Sequence, residues 1–235
     1  TNQQYSSMPV LLSSLLKFSK NSRVTSCYKL WHTLSAVSKA NRSTMSETSV
    51  QNLVWIDLEM TGLDVEKDRI LEIACIVTDS KLNIIAKGPN IIINEPDAVL
   101  AGMNSWCKDH HSKSGLIEAV KKSTYSVDQA ERDVLDFVKK YCPERKCPMA
   151  GNSIYMDRLF IMKYMPTLNE YLHYRVIDVS TVKELCKRWN QNVYNSSPPK
   201  KLAHRALDDI EESINEMKYY KSMFFNSVET KIDRD

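Results

Sequence analysis

From residue 53 onward the apolar positions follow two rhythms: short, nearly continuous runs, and longer stretches with an apolar residue every three or four positions. The first run, LVWIDLE at residues 53–59, is short and rich in Val, Ile and Trp, which predicts a buried strand. A turn containing Gly62 follows, then a second strand, ILEIACIVTD, ending at Asp79. A third apolar region is split by Gly88 and Pro89 into NIIAK and NIIIN. Short strands joined by tight turns predict an antiparallel meander at the start of the sheet. The stretch 97–141 reads as helical. Val127, Ala130, Val134, Phe137, Val138 and Tyr141 give its second half an amphipathic face, and Pro143 ends it. Beyond it come a short strand PMAG, a turn at Gly151, Asn152 and Ser153, and a helix carrying Asp157 that stops before Pro166. A strand YRVIDVS leads into a helix TVKELCKRW, then a Ser/Pro loop VYNSSPPKK. A last helix over about 206–225 carries Leu207, Ile210, Ile214 and Met217. The class is α/β: a mixed sheet flanked by helices, in a single domain over 51–226. Residues 1–50 form a leader and 227–235 a polar tail.

Charge changes the picture of the leader. Residues 1–46 hold six basic residues (Lys17, Lys20, Arg23, Lys29, Lys39, Arg42) and no Asp or Glu, and they are rich in Ser. Such an N-terminus reads as a mitochondrial transit peptide. Met8 and Met45 are both plausible starts, and a product starting at Met45 would lack the leader and stay in the cytosol. The remainder carries 26 basic against 29 acidic residues, a balance of −3. No run of 18 apolar residues occurs, so no membrane span is expected. The six cysteines form no C-x-x-C pair and no zinc spacing; Cys75 and Cys186 sit in apolar contexts as core residues, and a reducing compartment is the simplest reading.

The candidate chemistry begins at Asp57-x-Glu59. Side chains alternate along a strand, so both carboxylates share a face. Close carboxylates raise each other's pKa unless a cation lies between them, and hard oxygens of this kind suit Mg²⁺ or Mn²⁺. Asp157 lies in the first turn of its helix, where the dipole favours an anion. His204 sits where a basic loop meets the last helix, just ahead of Asp208 and Asp209.

WIDLEMTGLD, RILEIA, GNSIYMDRLF with KYMP, HYRVIDVSTVKEL and HRALDDI occur in this order over about 52–225. Together they resemble the oligoribonuclease family, within the DEDDh class of 3′→5′ exonucleases. The resemblance implies a ribonuclease H-like exonuclease domain that cuts short oligoribonucleotides, dinucleotides included, to nucleoside 5′-monophosphates. It implies four metal-binding carboxylates, Asp57, Glu59, Asp157 and Asp209, holding two divalent ions, with His204 as general base. Helical spacing alone favours Asp208, one turn from His204; the family spacing, His-x4-Asp, favours Asp209. By the same resemblance Leu63 and Trp106 pack on a base and Ser153 sits by the phosphates. A homodimer completes the site: Tyr174 reaches the neighbouring site to cap a base, and Arg175, which also reaches across, engages the 5′-phosphate with Ser180 and Thr181. The sequence is less regular over 190–203, the segment that delivers His204. The acidic balance suits a short substrate held at its ends better than a long one gripped by a basic stripe. The alternatives are a longer-substrate trimming or proofreading exonuclease and a non-catalytic RNA-binding protein.

Overall fold

The computed structural model describes residues 47–199 and 205–225. Residues 1–46 of the leader (Met8 and Met45 among them), Lys200, Lys201, His204 and the polar tail lie outside them. Five strands form one mixed sheet in the order β3-β2-β1-β4-β5. They are β1 (Leu53–Met60), β2 (Ile70–Thr78), β3 (Ile84–Ile92), β4 (Pro148–Gly151) and β5 (His173–Asp178). The first three form the expected antiparallel meander. β4 and β5 add in parallel, β4 beside β1.

The central strands are apolar on both faces because helices cover both. Val54, Ile56 and Leu58 enter one core with β2's Ile73 and Cys75. That core is closed by α4 (Val127–Tyr141), through Val134, Phe137 and Val138, and by α5 (Ile154–Tyr164), through Phe160 and Ile161. The alternate residues Leu53 and Trp55 face a second core, built by Cys186 of α7 (Val179–Trp189) and by Ile210, Ile214 and Tyr220 of α9 (Ala206–Tyr220). Each buried aliphatic side chain contributes about 1.5–3 kcal/mol. Asp57 and Glu59 continue the series of Leu53 and Trp55, so they fall on the face that α9 covers.

Four expectations needed correction. The third apolar region is one strand, and Gly88 and Pro89 lie within it. They sit at a register shift opposite Cys75, between the pairs Ala74–Asn90 and Ile76–Lys87. β3 is an edge strand, where a proline's missing N–H is tolerated. Gly88 is also needed sterically, since a Cβ there would lie 2.5 Å from the Phe137 ring. The stretch 97–141 is four helices: α1 (Asp97–Gly102), α2 (Ser105–Lys113), α3 (Leu116–Lys122) and α4. Asn104 caps α2, Gly115 turns left-handed at φ 74° before α3, and Ser126 with Gln129 forms a capping box on α4. Val179 and Ser180 belong to α7 rather than to the strand, because Asp178 caps that helix by accepting from the Ser180 amide. Two further short helices are α6 (Pro166–Tyr171) and α8 (Gln191–Asn195), the latter running into the start of the segment expected to be loop.

Candidate active site

The carboxylates of Asp57, Glu59 and Asp209 converge, each offering an oxygen within 4.8 Å of the others. Two come from one face of β1 and the third from the first turn of α9. Asp209, not Asp208, enters the cluster; Asp208 points to solvent. Asp157 joins from α5 on the other side of β1. Its Oδ1 accepts the Leu58 amide at 2.9 Å. That amide lies beyond the last β1–β4 pair, Trp55–Ala150, so the carboxylate satisfies a donor the shorter neighbouring strand leaves open.

The electrostatics are unfavourable for four bare anions. Burial pushes the Asp57 carboxyl well up, and Asp157, Glu59 and Asp209 push it further. Burial followed by Asp209, Glu72 and Asp157 lifts Glu59 from 4.5 to about 8. Asp157 is raised to about 7 by burial, against the lowering effect of the Leu58 amide. A converging set of hard, partly buried carboxylate oxygens fits a divalent cation, whose charge would offset this repulsion.

Three supporting residues were not foreseen from sequence. Glu72 faces Glu59 directly across β1 and β2 and is fully buried. Arg205 meets it in a two-pronged ion pair, Nη2 to Oε1 at 3.0 Å and Nε to Oε2 at 3.2 Å. This pair pins the residue that precedes α9 to the sheet, one position after His204 in the chain. His111 of α2 is buried and bonds the Met60 carbonyl through Nε2 at 2.8 Å. A carbonyl only accepts, so Nε2 carries the hydrogen and Nδ1 faces the Glu59 carboxylate at 3.8 Å. A buried glutamate inside the run RILEIA was the one available signal; His111 sits in a polar helix and gave none.

The candidate substrate residues lie on the turn after β1, on α2, at the ends of β4 and β5 and on the first turn of α7. Leu63 is 66% exposed on the turn after β1, which Asp68 organises by accepting from Thr61 Oγ1 at 2.7 Å and the Asp64 amide at 2.9 Å. Trp106 is exposed on α2 and stacks on His110 with ring centres 3.9 Å apart; the His111–Met60 bond ties that helix to the end of β1. Ser153 and Ser180 touch, Oγ to Oγ at 3.2 Å, at the ends of β4 and β5. Ser153 adopts a left-handed backbone, φ 51°, uncommon for a residue with a Cβ. Thr181 follows, exposed, in the first turn of α7. Tyr174 and Arg175 lie on the edge strand β5, two strands from β1, with the guanidinium 5.1 Å from the tyrosine ring centre. Tyr174 is 73% exposed.

A mixed sheet with an acid cluster at the end of its central strand, completed from two flanking helices, defines an exonuclease-type catalytic domain. The exonuclease family model matches residues 54–217. The human mitochondrial oligoribonuclease is 56% identical over 179 residues, 76% of each chain. The Ralstonia nicotianae oligoribonuclease is 53% identical over 180 residues, 77% of this chain and 82% of that one. Among solved structures, Escherichia coli exonuclease I in complex with a dA16 oligonucleotide superposes with a TM-score of 0.59 at 17% identity, over 75% of this chain and 42% of that one. The exonuclease I from Methylocaldum szegediense gives 0.56 at 17% identity, over 74% and 41%. This chain thus spans about two fifths of the exonuclease I chains, and the likeness to them is one of fold. The chain belongs to the oligoribonuclease family.

Proposed function

We propose that this protein is a 3′→5′ exoribonuclease that degrades short RNA, down to dinucleotides, to nucleoside 5′-monophosphates. The carrying observation is the convergence of Asp57, Glu59 and Asp209 with Asp157 beside them. These four residues would hold two divalent cations, Mg²⁺ or Mn²⁺. Such ions, when bound, supply charge neutralisation at the scissile phosphate and acidify an attacking water. The chain's own residues do the rest. His204 takes the water's proton, a role suited to an imidazole that titrates near neutrality. The Glu72–Arg205 ion pair anchors the chain beside His204, and the His111–Met60 bond fixes the end of β1 that carries Glu59.

Leu63 and Trp106 offer exposed apolar surfaces to a base, and Ser153, Ser180 and Thr181 offer hydroxyls to the 5′-phosphate. Tyr174 and Arg175 serve the site of a second copy in a homodimer. An exposed apolar stripe supports this: Tyr155, Leu159 and Met162 on one face of α5, beside Tyr174 and Val176 on β5. The name of the mammalian relatives, together with the acid-free basic leader, supports action in the mitochondrion.

The test is turnover of 5′-phosphorylated RNAs of graded length, from dinucleotide to twenty-mer, with Mg²⁺ and with EDTA. The reading expects metal-dependent release of mononucleotides, fastest on the dinucleotide. Equal or greater activity on the twenty-mer would keep the chemistry but replace the short substrate with general 3′-end trimming.

A further inference from the structure

One chain of hydrogen bonds runs from the serines at the end of β4 and β5 to the helix that carries Asp209. The Ser153 amide donates to Ser180 Oγ at 3.0 Å and is shared with Asp178 Oδ1, also at 3.0 Å. Ser180 Oγ donates to Asn152 Oδ1 at 3.1 Å. Asn152 Nδ2 donates to Ser213 Oγ at 2.7 Å. Ser213 Oγ donates to the backbone carbonyl of Asp209 at 2.7 Å. The direction of donation is forced at both ends, because an amide N–H can only donate and a carbonyl can only accept. Ser180 has a single hydrogen, committed to Asn152, so the hydroxyl of Ser153 must be the donor in its 3.2 Å contact with Ser180 Oγ. An anion placed at Ser153 would draw that hydrogen away and change the load on the first link.

The chain runs inward from an exposed end at Ser153 to a buried end at Ser213. Ser213 is 3% exposed. The neighbouring Glu216, also buried, accepts from Asn152 Nδ2 at 3.3 Å and is neutralised by Lys183 at 3.2 Å. That ion pair holds Asn152 between α7 and α9, both of which pack on the second core. Hydrogen bonds in series polarise one another, and the inner links of this one, at Ser213, are shielded from water. The left-handed backbone of Ser153 places its amide and its hydroxyl on the same acceptor, which an ordinary helix entry would not do.

We infer that Asn152 is a positioning residue that couples occupancy of the 5′-phosphate pocket at Ser153 and Ser180 to the placement of Asp209 in the metal-binding cluster. A substrate whose 5′-phosphate fills that pocket is thereby turned over faster, not merely bound more tightly. This selects substrates short enough to reach both ends at once. The inference rests on the proposed role of Ser153 and Ser180 as phosphate contacts.

The experiment measures kcat and KM of the full chain with Mg²⁺ on a dinucleotide bearing a 5′-phosphate and on its 5′-hydroxyl counterpart. The proteins are wild type, Asn152→Ala, Ser213→Ala and the double variant. Ser213→Ala removes one hydroxyl and leaves Asn152 its bond to Glu216, so it stays folded even where Asn152→Ala does not. In wild type the 5′-phosphate should raise kcat by about tenfold, the scale of coupling within one hydrogen-bond network. In Ser213→Ala that kcat ratio should fall to about one, while the 5′-phosphate still lowers KM. The double variant should be no worse than the single ones, which general loosening of the fold would not produce. A Ser213→Ala enzyme that keeps the wild-type kcat ratio overturns the coupling. A wild type indifferent to the 5′-phosphate in both constants overturns the phosphate pocket itself, and the coupling with it.

Discussion

Replacing Asp57 by Asn should stabilise the metal-free protein while abolishing its activity. Asn keeps the shape of the side chain and removes one charge from a cluster whose carboxylate oxygens lie within 4.8 Å of one another. At that separation, and an effective dielectric constant of about 20, two full charges repel by about 3 kcal/mol. Asp57 faces Glu59 and Asp209 at this range, with Asp157 adding to the repulsion. The sign follows from the direction of the shifts. Asp57, Glu59 and Asp157 all titrate higher folded than unfolded, Glu59 at about 8 and Asp157 at about 7. Their protonation therefore stabilises the fold, fully so below the unfolded value near 4, and this stability is lost as pH rises through about 7 to 8. For Glu59, whose side chain is 13% exposed, the loss on full ionisation reaches about 5 kcal/mol at most. Thermal unfolding followed by circular dichroism, in EDTA and in Mg²⁺, at pH 5 and pH 9, reads this directly. At pH 5 the gap should be smaller, about 1.5 kcal/mol, because Asp57 is then protonated in the folded state but already ionised in the unfolded chain, whose carboxylates titrate near 4. At pH 9 in EDTA the variant should be more stable by at least about 3 kcal/mol, some 6–12 °C or more in a domain of this size. Mg²⁺ should raise the wild-type Tm at pH 9 and close that gap, since a ligand at a hundred times its Kd adds about 2.7 kcal/mol. A variant that melts below wild type in EDTA at pH 9 would show that Asp57 is not held in a repulsive cluster.

Three further outcomes follow from the same geometry. Glu72→Ala removes the carboxylate that holds the partly exposed Arg205 guanidinium; loss of these charged hydrogen bonds should cost about 1.5–3 kcal/mol, seen as a lower urea midpoint at unchanged m-value. Leu63→Ala and Trp106→Ala should each raise KM for a dinucleotide by about tenfold with little change in melting, because both side chains are exposed and a base contact contributes about 1–3 kcal/mol; unchanged KM in both would remove them from the base pocket. Leu159→Glu places a charge in the α5 stripe, so light scattering should report a monomer and turnover should fall with it; a fully active monomer would sink the shared site.

Much of the scaffold was legible because its signals are local. The run at 53–59 reads as a buried strand from its β-branched and aromatic content, and strand alternation puts Asp57 and Glu59 on one face without any knowledge of the fold. Ser126 with Gln129 and the i, i+3, i+4 apolar spacing mark α4 in the same way. The region 97–141 reads as helical throughout because apolar spacing survives across short breaks; the caps at Asn104 and Ser126 and the left-handed Gly115, which end and restart the chain, divide it into four helices. Pro89 reads as a break because proline lacks a donor; that matters in a central strand and not on an edge, and edge position belongs to the sheet order.

What the sequence by itself determined is the set of candidate groups and the short-range geometry of each: a D-x-E pair on a strand, an acid at a helix start, a His and two acids at the head of the last helix, all fixed by periodicities of two and 3.6. What only the tertiary structure decided is which of those groups meet. The packing of α9 on β1 and β2 turns Asp209 inward and Asp208 out, where helical spacing alone favoured the reverse. The short β4 leaves the Leu58 amide open to Asp157, 99 residues along the chain. Strand register brings Glu72 opposite Glu59, and burial between two layers of helices makes it a partner for Arg205. Such contacts join residues far apart in sequence, and no local pattern encodes them, because they depend on how whole elements are rotated and offset when their apolar faces close on one core.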